Sequence, residues 1–242
     1  MNNSWMATLI EHYDWLSSLI ALLCIIALTK GGKYLAFKVA ALQKMKDINL
    51  LRDKDKWAKE KYPPMVRSSQ KMGLYCNIAF FLVILPFCIT AQAQPLWQIL
   101  LAVFLILMFY DFFYYFMHRL WFHGNGPMRQ IHAIHHQART PTYIDAFYVH
   151  PTETFLGLAL YFSSTAILAA VLGPLHIATI VLSFLIYTQI NTLNHTFVDL
   201  PYFPFKTLSW ITAKHHVHHE NMQKGNYASI TLLFDKLFGT LN

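Results

Sequence analysis

Residues 96–118 read LWQILLAVFLILMFYDFFYYFMH. The run Leu96–Met117 is apolar apart from Gln98 and one charge, Asp111, and it ends on a histidine, His118. Eighteen or more such residues, at about 1.5 Å each, suffice to cross the roughly 30 Å hydrocarbon layer of a bilayer. A carboxylate inside such a run is costly in lipid and marks Asp111 as functional.

Working outward from this segment, Gly73–Ala91 (with Pro86), Phe155–Gly173 and Leu175–Asn194 have the same character. Trp15–Thr29 is shorter, and Lys30 and Lys33 extend it by snorkelling. Gln94-Pro95 and Pro174 interrupt neighbouring runs so briefly that each pair reads as a tight helical hairpin. The expected fold is an all-α integral membrane protein of four to five transmembrane helices. Residues 1–72 supply an N-terminal span and a basic loop, and residues 73–242 supply two hairpins and a histidine-rich helical cap. Composition agrees: 55% of the 242 residues are hydrophobic and only 13% charged, against about 25% in soluble domains. That excludes disorder, and three cysteines, all within spans, exclude a disulfide scaffold.

The formal charge of +7 is local. Residues 30–71 hold 12 Lys/Arg against 4 Asp/Glu, whereas the rest holds 7 against 8. The positive-inside rule puts this loop in the cytoplasm, which places the N-terminus outside and residues 118–154 and 195–242 on the cytoplasmic face. Glu11 and Asp14 precede the first run with no Lys or Arg before it, which argues against a cleavable signal peptide. Tyr34, Phe37, Leu42 and Met45 among the lysines suggest an amphipathic helix on the membrane surface. Nothing resembles a nucleic-acid platform.

There are 13 histidines. All but His12 lie from residue 118 onward, and of those only His176 falls outside the two cytoplasmic segments. His132, His135 and His136 stand at i, i+3 and i+4, as do His215, His218 and His219, so each triplet shares one helix face. Two imidazoles one turn apart can chelate one ion, and three can bridge two. His118 and His123 are five apart, about 140° around an α-helix, and need a helix end or a partner cluster to converge. His118 and His195 each follow the end of a span. So many imidazoles on one face would be desolvated and mutually repelling without a metal. Nine of them without cysteine exceed one zinc and suit two ions, whose identity imidazole alone does not choose.

The motifs His118-Arg-Leu-Trp-Phe-His123, His132-Ala-Ile-His135-His136, His195 and His215-His216-Val-His218-His219 stand in a fixed order. They are followed by Asn226-Tyr-Ala-Ser229 and Phe234-Asp-Lys-Leu-Phe-Gly-Thr240. This pattern resembles the membrane-bound fatty acid hydroxylase/sterol desaturase superfamily, from about Asp111 to the C-terminus. The resemblance implies a histidine-bound di-iron centre under a cytosolic cap, using O2 and reducing equivalents to hydroxylate or desaturate lipid C–H bonds. It carries nine ligands over: His118, His123, His132, His135, His136, His195, His215, His218 and His219. Several relatives have a further histidine where this chain has Asn191, so Asn191 is expected to hold iron through water or not at all. His216 points off the ligand face, and His150 and Glu153 are read as orienting partners.

Metal-bound histidines usually donate their other N–H to a carboxylate or carbonyl, which makes Asp111, Asp145, Glu153 and Asp235 candidates. Phe112, Phe113, Tyr114, Tyr115, Phe116, Trp121 and Phe122 are candidates to line a lipid path. No Gly-x-Gly-x-x-Gly run is present. Electrons are therefore expected from a separate carrier, a cytochrome b5-type protein or a ferredoxin with its reductase. The host membrane is then a bacterial cytoplasmic membrane or the endoplasmic reticulum. A metal-storing or degenerate structural protein is the alternative.

Overall fold

The computed structural model describes residues 12–198, 200, 202–203 and 205–242. The flank through Glu11, on which the signal-peptide expectation partly rests, lies outside the described residues. Nine α-helices are described: α1 Trp15–Ala36, α2 Ala40–Trp57, α3 Tyr62–Ala79, α4 Leu96–Phe116, α5 Pro127–His135, α6 Pro151–Leu172, α7 Ile177–Asn194, α8 Phe205–Glu220 and α9 Leu233–Leu237. Five helical segments are long and apolar enough to span a bilayer: α1, Tyr62–Phe87, Leu96–Phe122, α6 and α7. The protein is a helical, multi-pass membrane protein. The two short strands, β1 Ile89–Thr90 and β2 Leu175–His176, form a parallel bridge between the hairpin tips.

The bundle centres on α4, which packs against α6 and α7, while α1 lies on α7 and α3 on α6. Aromatic residues fill the seams. Phe80 stacks on Phe162 at 4.0 Å and Tyr161 on Tyr187 at 4.5 Å, with the Tyr161 hydroxyl 2.8 Å from Ser183 Oγ. Leu23, Leu82, Val83, Phe104 and Val171 remain exposed on the outer faces, the pattern expected where lipid replaces water.

The first two spans outrun the hydropathy reading at their charged ends, for one reason. α1 continues to Ala36 through Lys30 and Lys33, and the second span begins at Tyr62 rather than Gly73. Hydropathy stops where charge begins, but helical hydrogen bonding does not. Pro63 and Pro64 sit in the first turn of α3, where no amide donor is needed, and α3 runs unbroken through residue 72. Beyond it, a π-helical turn at Phe80–Ile84 and a 3-10 turn at Leu85–Phe87 close the span around Pro86, before the expected Ala91.

The basic segment is more than a lysine-rich membrane surface. Met45, Asn49 and Asp53 form a buried face of α2 directed at the histidine-bearing cap. Asn49 Nδ2 donates to Phe197 O (3.0 Å) and the Phe197 amide donates back to Asn49 Oδ1 (3.1 Å). The Thr142 hydroxyl bonds Asp53, and Lys56 is ion-paired with Asp145. Of the four residues assigned to a membrane-facing stripe, Tyr34 is exposed, Phe37 and Leu42 are half-buried, and Met45 is buried.

Candidate metal centre

The long spans carry the histidines past the hydrocarbon. From Leu96, 20 residues of helix consume about 30 Å, so His118 emerges just beyond that limit. Here the helix changes gauge. Met117–Phe122 is a π-helical turn, closed by the His123 amide donating to His118 O at 3.0 Å. An i→i+5 turn stacks residues that an α-helix would separate by about 140°, and the two imidazole centroids lie 5.0 Å apart. The convergence problem posed by the five-residue spacing is thus solved within the helix.

The nine imidazoles form two groups. His118, His123, His132, His136 and His218 make one, and His135, His195, His215 and His219 the other; within each, every residue offers a ligand atom within 4.8 Å of the rest. The His-x-x-His-His triplets act as forks. His132 and His136, one α5 turn apart, enter the five-membered group while His135 enters the other. On α8 the sharing is reversed: His215 and His219 join the four-membered group and His218 the five-membered one.

The outer ring nitrogens are fixed by acceptors. His118 Nδ1 donates to Tyr227 O (2.7 Å), His123 Nδ1 to Met222 O (2.7 Å) and His218 Nδ1 to Gly225 O (2.9 Å). His135 Nδ1 donates to Tyr148 O (3.1 Å) and His195 Nδ1 to Asn191 O (2.8 Å). His132 Nδ1 pairs with Glu153 Oε1 at 2.7 Å. A carbonyl only accepts, so each carbonyl-bound neutral ring presents a bare lone pair at Nε2.

Those lone pairs face one another. His118 and His218 approach Nε2 to Nε2 at 3.2 Å, and His135 and His195 at 3.0 Å. Neither pair has a proton to share, and burial keeps protons off His218 and His195. It holds His132, His215, His218 and His219 well below the usual imidazole range, and pushes His123 down to about 4 and His195 to about 3. His123 Nε2 is buried with no hydrogen-bond partner. Nitrogen atoms about 3.0 Å apart across a right angle sit about 2.1 Å from a common centre, the length of a metal–imidazole bond. The donor set therefore fits metal cations, and fits little else.

Glu153, at the start of α6, is the one predicted carboxylate that reaches a histidine ring. Asp111 does not, contrary to expectation. Its buried carboxylate accepts from the amides of Ser229, Ile230 and Thr231 (2.9, 2.8 and 3.0 Å) and from Thr231 Oγ1 (2.8 Å). Asp235 likewise accepts from the Tyr227 and Ala228 amides (both 2.8 Å) and Thr240 Oγ1 (2.7 Å). The two carboxylates clamp the segment whose Tyr227 carbonyl orients His118, so both act through backbone. Gly225 is required by close packing there, since a Cβ would lie 1.7 Å from Thr240 O. Asp145 binds Lys56 and the Tyr62 hydroxyl rather than a histidine.

The recorded contribution of Asn191 is its backbone carbonyl, on His195. His150 does not touch the groups: its Nδ1 accepts from the Thr152 amide (3.2 Å) and caps α6, as His176 caps α7. His216 belongs to neither group; burial, with Arg52 and Lys56 nearby, pushes it down to about 4. Sequence reasoning missed the carbonyls of Tyr148, Met222, Gly225 and Tyr227, because a backbone acceptor leaves no mark in residue type.

A cavity of about 490 Å³ reaches both groups from between α1, α3, α6 and α7. Thr29, Lys33, Gln70 and Leu74 lie toward its α1–α3 side, Gly73 and Gly157 along its walls, and His118, His132, His135, His195, His215 and Asn191 around its inner end. Tyr114, as expected, lines it together with Tyr110 and Tyr187, whereas Phe112 and Phe116 pack on Phe234 and Phe238, and Trp121 is exposed. Phe122 is buried and stacked on His132 at 5.1 Å.

A fatty acid hydroxylase family model matches residues 102–240. Methylsterol monooxygenase 1 of Rattus norvegicus is 28% identical over 180 residues, covering 70% of this chain and 57% of the relative. A very-long-chain aldehyde decarbonylase of Oryza sativa subsp. indica is 31% identical over 152 residues, covering 60% and 54% respectively. The chain thus spans little more than half the length of these relatives. No solved structure gives a significant match. The matched segment takes in more than half of the chain and all nine clustered histidines, and the chain belongs to the fatty acid hydroxylase family.

Proposed function

We propose that the protein is a membrane-bound di-iron oxygenase that hydroxylates or desaturates a C–H bond of a lipid, such as a fatty acyl chain, sterol or sphingoid base. The observation that carries this reading is the pair of imidazole groups whose Nε2 lone pairs converge without protons between them. His118, His123, His132, His136 and His218 would hold one iron, and His135, His195, His215 and His219 the other. Bound there, the irons supply the reduction of O2 and the oxidising power to break an unactivated C–H bond.

The chain's own residues do the rest. Nδ1 donation to fixed carbonyls and to Glu153 locks ring orientation before metal arrives, and the carboxylate makes the His132 ring a stronger donor. The cavity admits a lipid from the bilayer side between α1 and α3, and its tyrosine walls and glycine gaps hold the chain beside both groups. The positive-inside bias supports a cytosolic cap, with electrons arriving from an external carrier (a cytochrome b5-type protein or a ferredoxin with its reductase) and O2 as co-substrate. The names of the relatives, a sterol monooxygenase and an aldehyde decarbonylase, support a lipid substrate without choosing among lipids.

Metal analysis of the detergent-purified protein tests the reading. Two irons per chain are expected, together with a lipid product shifted by +16 (hydroxylation) or −2 (desaturation) in cells expressing the gene. One tight zinc, no iron and an unchanged lipid extract would instead support a storage or structural role.

A further inference from the structure

A second cavity, of about 450 Å³, lies where the end of α2 and the start of α3 meet the 137–148 turn. Lys59, Lys61 and Arg139 are exposed at its rim. Lys56 is held by Asp145, Thr140 O (3.0 Å) and Thr142 Oγ1 (2.8 Å), and Glu60 is the other carboxylate at the rim, so the cavity is net positive. Its wall includes Tyr148, stacked on Tyr62 at 4.4 Å, with the Tyr148 hydroxyl donating to Gln137 Oε1 (3.0 Å). The Tyr148 carbonyl accepts from His135 Nδ1 at 3.1 Å, and Gln137 directly follows His136. A cationic surface depression is thereby joined to a clustered imidazole by one hydrogen bond.

The position favours a soluble partner over lipid headgroups. The Tyr62–Phe87 span has 26 residues, about 39 Å of helix against about 30 Å of hydrocarbon. The helix is about 9 Å longer than the hydrocarbon is thick, and Tyr62 ends it on the side of the histidine groups. We propose that this cavity is the docking site of an acidic one-electron carrier, which passes its electrons through Tyr148 and His135 to the four-histidine group. Each encounter oxidises the carrier by one electron and reduces the metal centre by one. This inference rests on the oxygenase reading above.

The test uses the protein in nanodiscs of neutral phosphatidylcholine, with the soluble domain of cytochrome b5 and a plant-type ferredoxin as probes. K59E/K61E/R139E is compared with wild type, with K59Q/K61Q/R139Q, and with K38E/K44E/K46E, which changes charge equally elsewhere on the basic segment. At low ionic strength the first variant should weaken carrier affinity by about tenfold or more. The glutamine variant should show a smaller loss and the distant reversal little. High salt should erase the differences. Reoxidation of the reduced carrier should slow in step, while reduction by dithionite, which needs no docking, stays at the wild-type rate.

Equal carrier affinity in all four proteins overturns the proposal, as does an equal slowing with dithionite. Anionic vesicles held by wild type but not by K59E/K61E/R139E, with carrier affinity unchanged, assign the cavity to headgroups and also overturn it. Absence of iron from the purified protein sinks the oxygenase reading instead and leaves carrier binding measurable, so the two failures are distinguishable.

Discussion

The two histidine groups share α5 and α8 but are supported differently. The five-membered group draws on the π turn after α4, on α5 and on α8, and a carboxylate, Glu153, backs one of its rings. The four-membered group has carbonyls alone behind His135 and His195. One outer nitrogen in each group, His219 Nδ1 here and His136 Nδ1 in the five-membered group, is buried without a partner, so the carboxylate is what sets the two apart. The difference implies a tightly held site beside a more open one. The open site also borders both the lipid cavity, through His195 and Asn191, and the basic cavity, through His135 and Tyr148.

The adjacent pair His218 and His219 offers the sharpest way to break this comparison, because one helix turn sends them to different groups. His218→Ala and His219→Ala should each abolish detectable lipid oxidation. Metal analysis should separate them: each retains about half the wild-type iron, and the iron remaining in the His219→Ala protein should resist chelators longer. Identical release kinetics in the two proteins would show the groups to be equivalent.

Glu153→Gln tests the carboxylate at the tight site with an isosteric side chain. Partners of this kind typically contribute 10–100-fold in metal affinity or activity. A loss in that range is expected, confined to the faster-released iron fraction that the substitution creates in the five-membered group. An unchanged affinity would mean that a carbonyl serves His132 as well as a carboxylate does.

Asp111→Asn addresses the scaffold that both groups share. It removes the charge that holds three amides and a hydroxyl while leaving one acceptor. Hydrogen bonds to charged groups contribute about 1.5–3 kcal/mol each, and about 2–4 °C of melting temperature follows each kcal/mol in a chain of this size. Counting a net loss of one such bond, a fall of about 3–12 °C is expected, with iron content at saturating metal close to wild type. Loss of iron without loss of thermal stability would restore Asp111 to the metal site.

How much of this was legible follows from what each feature needs. Spans need only hydropathy, and the His-x-x-His-His forks need only helical spacing, so both were readable in the residues. The pairing of His118 with His123 was not, because it depends on a π turn and the sequence was read at α-helical pitch. Asp111 was read as a costly carboxylate inside a span and Asp235 as a candidate partner of a histidine, yet neither reading says which donors surround them. Here they are backbone amides more than 100 residues away for Asp111, and 7 and 8 residues away for Asp235. The buried face of α2 was hidden for a related reason: Asn49 and Asp53 are polar, and a polar face packed on a polar cap has no hydrophobic signature.

The smallest expected effect comes from Asn191, and it bears directly on the asymmetry between the groups. Asn191 lies one helical turn before His195, lines the lipid cavity near the four-histidine group, and already orients His195 through its carbonyl. Asn191→His leaves that carbonyl in place and offers a fifth nitrogen. If the four-membered group is open because it lacks a ligand, its iron should leave two- to threefold more slowly under chelator challenge, a shift well below the 10–100-fold typical of an orienting partner. The iron of the five-membered group should be unaffected. Turnover should fall modestly, since an added ligand occupies a position on the cavity side where O2 and substrate meet. Faster release from the four-membered group would mean that the asparagine side chain itself, through water, is what completes the site.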